Sequence, residues 1–230
     1  LALRYRGAAG PLMRVIARIG RGAGAVALPG AIGGPLDRAA RAALERAWRA
    51  ANVSRGLLRN RGDRFNRLAT TLAGAAGGAA GIAGALAELP VTITLLTRAM
   101  LDIADEHGLD TNSEEVRLEC LRIFAAAGPM SDPDGPAMGL PSLGVPLAGQ
   151  TAQGVIAHAA PRLAAVLGQK LAAQSAPVIG ALAGAAINHG FVSYYQDLAR
   201  VHFGLIRLSQ ETGLPPEALA EALRLRLSQP

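Results

Sequence analysis

The sequence is short of most residues on which recognisable chemistry is built. It has one cysteine, Cys120, one lysine, Lys170, and one tryptophan, Trp48. A single cysteine excludes an internal disulfide framework and cannot supply a zinc site. Cys120 reads as a buried, inert thiol, since Glu119 beside it would raise a thiol pKa. Aromatic residues make up only 3% of the chain. Ala and Gly dominate its apolar half, so little bulk is available and helices must approach closely. The four histidines, His107, His158, His189 and His202, show neither HxxxH nor HExxH spacing. No metal and no other cofactor is expected. No serine or cysteine stands in a nucleophile context, and GxSxG is missing. The stretch "GAGAVALPGAIGG" has no strand before it and no GK[ST] after it, which argues against a phosphate-binding loop. No catalytic residue is assigned.

Long hydrophobic runs are missing too. The softest, Leu72 to Ala87, is sixteen residues long and ends at Glu88. A helix that spans a bilayer needs about 20 predominantly apolar residues. An ionised Glu88 near the hydrocarbon centre would cost about 3 kcal/mol on the mildest scale. The second soft run, 176–187, is shorter still. A spanning helix is therefore not expected, while shallow insertion of a helical hairpin into one leaflet stays open. Arg14, Arg18 and Arg21 interrupt the apolar core that a secretory signal would need. The first thirty-six residues are Arg-rich and acid-free. Transit peptides share that trait, and so do basic amphipathic helices.

Charge is present but unevenly placed. Residues 1–67 hold fourteen arginines against three acids, Asp37, Glu45 and Asp63. Residues 68–230 hold nine bases against fourteen acids. The net +6 thus hides a basic first third. Such a segment is expected to meet an anionic membrane surface, a lipid or an acidic protein. A solvated arginine-rich face is the plain alternative. Nucleic acid is not expected: only Tyr5, Trp48 and Phe65 stand near these arginines, and no binding motif accompanies them.

Periodicity is helical throughout, and no convincing period-two strand is found. "PLMRVIARIGR" (11–21) alternates apolar and Arg at helical spacing, and residues 22–35 read as a Gly/Pro linker. In 36–52, Leu36, Ala40, Leu44, Trp48 and Ala51 share one face, with Arg41, Glu45 and Arg49 as i,i+4 charge pairs on another. Gly74, Gly77, Gly78, Gly81 and Gly84 fall within about a third of the helix circumference at ~100° per residue. One stripe of glycines makes sense if another backbone lies against it. Pro90 is expected to break or kink that run. Beyond it Ile93, Leu96, Met100 and Ile103 form a core face, and Gly108 is the expected C-cap. Ser113 is the expected N-cap of 114–127. Residues 128–149, rich in Pro and Gly, read as a long loop. Residues 150–174 form one helix or two, with a break expected at Pro161. Gly180, Gly184 and Asn188 make a second small-residue stripe. Phe191, Tyr195, Leu198, His202 and Leu205 continue along a helical face, and the chain closes with a short helix opening on Pro in its first turn.

Several polar residues sit on otherwise apolar helices. Thr94, Arg98, Asp102 and Asp105 line one face, with Arg98 and Asp102 one turn apart. Such a line faces water in the plain reading. In the sharper one it is buried and lines a cavity, because a buried pair must be satisfied somewhere. Lys170, alone beside twenty-two arginines, could hold a lipid phosphate or pair with Glu88 or Asp102. His202 reads first as a satisfied core histidine, and second as a base working with Asp197 or Glu211.

Two blocks, "ELPVTITLLTRAMLDIADEHGLD…EEVRLECLRIF" and "APVIGALAGAAIN…F…A…HF…RL", make residues from about Gly78 to Leu208 resemble the bacterial EcsC family. Leu89, Pro90, Asp102, Lys170, Pro177, Gly180, Asn188 and Phe203 coincide with its pattern. That family is named for a product encoded beside an ABC-type transporter. The resemblance implies a helical bacterial protein linked to the cell envelope and carries over no catalytic residue.

The expectation is an all-α protein: a basic arm and linker over 1–35, then one helical domain over 36–230. Two Gly/Ala-rich segments, 72–107 and 171–208, are expected at its centre. The expected function is non-enzymatic: a cytoplasmic protein, peripheral to the inner membrane, that binds lipid or an envelope partner and serves a transporter. Glu88, Thr94, Arg98, Asp102, Lys170, Asn188 and His202 are its candidate ligand-binding residues. The alternative is a hydrolase-like enzyme built around Asp102, Lys170 and His202.

Overall fold

A computed structural model describes residues 33–57, 69, 81–125, 150–174 and 180–228. All six extended elements among them are α-helices: α1 (Gly33–Leu57), α2 (Gly81–Glu106), α3 (Glu114–Ala125), α4 (Ala152–Gln174), α5 (Gly180–Thr212) and α6 (Pro216–Ser228). Helix α1 lies against α2 and α4; α3 lies against α4 and α5. Helix α2 runs along α5, and α6 folds back on α5.

The apolar faces read from periodicity are the ones that meet. Ile93, Leu96, Met100 and Ile103 of α2 are buried, as are Phe191, Tyr195, Leu198 and Leu205 of α5. Bulk is concentrated where α5 meets α3. There the Tyr195 ring lies 5.4 Å from Phe124, 6.5 Å from Phe191 and 5.3 Å from Tyr194. Helices α1 and α4, which are in contact, each bury several alanines. Ala40, Ala43, Ala47 and Ala51 of α1 are buried, as are Ala152, Ala159, Ala160 and Ala164 of α4. The glycine stripes, Gly74 to Gly84 and Gly180 to Asn188, lie outside the residues whose side-chain surroundings are described. So do residues 1–32 of the expected arm and linker and the Pro/Gly segment, while the last three linker residues, 33–35, open α1 instead.

Three local expectations need correction. Pro90 does not end its helix: α2 runs from Gly81 to Glu106 with Pro90 inside. Pro161 likewise lies inside α4 and does not break it, so of the one or two helices expected there is one. Each proline removes one backbone donor, but both face solvent, and each follows a buried residue, Leu89 or Ala160, that packs its helix into the core, so packing outweighs the lost bond. Third, Arg41 pairs with Asp37 at 2.8 Å rather than with Glu45. Trp48 is half-buried at the core margin, with the Arg117 guanidinium 5.6 Å from its ring centre.

Candidate functional site

The polar line of α2 points inward at its middle. Arg98 and Asp102 are 1% and 2% exposed, Thr94 is half-buried and Asp105 is exposed. The partner is the last turn of α1. Arg55 donates from Nε to Asp102 Oδ1 at 2.7 Å, from Nη1 to Thr111 Oγ1 at 2.8 Å and from Nη2 to Asp105 Oδ2 at 3.0 Å. Arg98 donates from Nη1 to Ser54 Oγ at 2.9 Å, and its Nε lies 4.0 Å from Asp102 Oδ2. Asn52 completes the join by donating to the Thr111 carbonyl at 3.4 Å. Among the described residues, two arginines meet two aspartates there. The cluster clasps α1 to α2 and to the turn that leads into α3.

A second cluster joins α3 to α5. His202 Nε2 lies 2.6 Å from Glu119 Oε2, and Arg122 Nη1 lies 3.5 Å from the same oxygen. Burial pushes the Glu119 carboxyl up, but the His202 bond and charge, with Arg122 behind them, hold it below its ordinary value. A carboxylate shared by two cationic or hydrogen-donating groups favours its charged form. Cys120, next along α3, is fully buried, and burial followed by the Glu119 charge pushes its thiol far up. That fits the inert thiol read from the sequence. At the end of α3, Arg162 of α4 donates to the Ala125 carbonyl and satisfies one of the helix's last acceptors.

The seven candidate residues do not form one site. Arg98 and Asp102 come together. His202 goes to Glu119, not to Asp197 or Glu211. Glu88 is buried and accepts from the Thr92 hydroxyl at 2.7 Å. The Thr94 hydroxyl donates to the Pro90 carbonyl at 2.7 Å. Lys170 and Asn188 belong to α4 and α5, but their side chains lie outside the described residues. Arg55, Ser54, Thr111 and Glu119 were not singled out. Glu119 could have been found, because it shares the buried helical face of Val116 and Ile123 and stands three residues before Arg122. Nothing local marks Arg55 among so many arginines. Among the described residues, no three His, Cys, Asp or Glu side chains gather as a metal site requires.

The model of the EcsC protein family matches residues 40–208. The chain belongs to the EcsC family. The EcsC match begins inside α1, well before the Gly78 at which the resemblance becomes legible by eye. Helix α1 carries no motif, only an apolar face, yet it packs into the core and delivers Ser54 and Arg55. The EcsC domain therefore includes both halves of the α1–α2 clasp. No curated protein and no solved structure matches the chain.

Proposed function

We propose that this EcsC-family protein is non-enzymatic and acts at a membrane surface from the cytoplasmic side, where its basic first third binds anionic lipid. An envelope partner, with a transporter as the kind the family suggests, is part of the same proposal. One observation carries it: fourteen arginines face only three acids in residues 1–67, while the rest of the chain is net acidic. A basic segment close to an anionic surface gains about 1 kcal/mol per residue. Among the described residues no helix is long and apolar enough to cross a membrane, so binding from one side is the mode that fits. The polar side chains of the core support the same reading, because Asp102 and Glu119 are already engaged within the fold.

The enzyme alternative keeps one observation. Glu119 holds one nitrogen of His202, and Nδ1 has no partner among the described residues, the arrangement of an acid-oriented base. His202 is 2% exposed, out of reach of a substrate in this conformation.

Flotation with vesicles that contain or lack anionic lipid tests the proposal. The protein is expected in the floating fraction only with anionic lipid, and Gln at Arg14, Arg18 and Arg21 together should reduce its share. Its absence from both fractions, with no lipid retained on native mass spectrometry, would overturn the reading.

A further inference from the structure

Buried polar groups in folded proteins are nearly all hydrogen-bonded, and an orphaned one favours any state in which water can reach it. Such groups gather in the middle of α5. Tyr195 and Gln196 are each 1% exposed. Among the described residues, neither the Tyr195 hydroxyl nor either end of the Gln196 amide has a partner, so turning the amide over relieves nothing. Two turns further on, His202 Nδ1 also lacks a partner among the described residues, and on α3 so does Arg122 Nη2. Elsewhere the orphaned atom is one of several on a bonded side chain, as in Asp37 and Arg117, or belongs to a half-buried residue, as in Trp48. The α1–α2 seam differs in that both its arginines are bonded, Arg55 to three acceptors and Arg98 to the Ser54 hydroxyl.

We propose that the α3–α5 seam is the joint at which this bundle opens first. Residues 191–202 of α5 become wet while α1 and α2 stay clasped. Opening hydrates the Tyr195, Gln196, Arg122 and His202 groups together and uncovers Phe124, Phe191 and Leu198. The closing forces are the Tyr195–Phe124 ring contact and the His202–Glu119 bond. The inference rests on this geometry and not on the membrane reading.

Native-state hydrogen exchange of the full chain, read by mass spectrometry, tests it. Amides of 191–202 are expected to exchange through an opening that leaves 93–103 protected. Tyr195→Phe and Gln196→Met each remove orphaned atoms and keep most of the shape. Each should slow that exchange about tenfold and raise the Tm by about 2–4 °C. Tyr195→Phe deletes one oxygen and keeps the ring contacts, so it carries the test if Gln196→Met fails to fold. Exchange of α5 and α2 only together, in global unfolding, or a lower Tm for Tyr195→Phe, would overturn the proposal.

Discussion

Asp102 is held from both sides, by Arg55 at 2.7 Å on one oxygen and Arg98 at 4.0 Å on the other. Ion pairs at a surface add little, but breaking a buried one leaves charge in a poor solvent. Asp102→Ala is therefore expected to destabilise the fold by about 3–5 kcal/mol, visible as a lower urea midpoint. Replacing Glu45, exposed on α1, should move the midpoint by less than about 0.5 kcal/mol. Glu119 gives a pH-dependent counterpart. Its folded pKa lies below the ordinary 4.5, so the stability it contributes is complete above that value and fades as pH falls through the folded one. Wild type should therefore exceed Glu119→Gln in stability at pH 7, and the gap should shrink below about pH 4.5. A gap that stays constant down to pH 3 would show that the carboxylate charge is not what matters.

The turn between α2 and α3 shows how a helix is stopped. Gly108 has φ 77°, which L side chains avoid. Its N–H bonds the Asp105 carbonyl at 2.9 Å, and the Leu109 N–H bonds the Ala104 carbonyl at 3.1 Å, the paired bonds of a Schellman stop. A Cβ at Gly108 would touch nothing within 4 Å. Gly108→Ala should thus cost only the backbone penalty, about 1–2 kcal/mol, measured as a lower Tm with the fold intact by circular dichroism. Ser113 then accepts from the Val116 N–H at 3.2 Å and starts α3. Both signals were legible, because stops and caps are written in neighbouring residues. Pro90 and Pro161 misled because a proline's local effect is opposed by core contacts from other helices, which no window of sequence displays.

The molecule divides its charge between a basic first third and an acidic remainder. If the basic third meets anionic headgroups, binding must weaken with salt, since the Debye length falls from about 10 Å at 0.1 M to about 3 Å at 1 M. Vesicle binding should therefore drop steeply over that range, checked by co-sedimentation. Salt-independent binding would point to apolar insertion instead.

Periodicity, caps and the two family blocks were enough to establish an all-helical EcsC protein and the inward faces of α2 and α5, because 3.6-residue spacing and turn chemistry are local. They did not reveal which polar residues would meet. Arg55 finds Asp102 across 47 positions, and His202 finds Glu119 across 83. Whether Arg98 faced water or the core depended on α1 docking there. Buried electrostatics is a property of the space between helices, and that space exists only once the chain has closed around it.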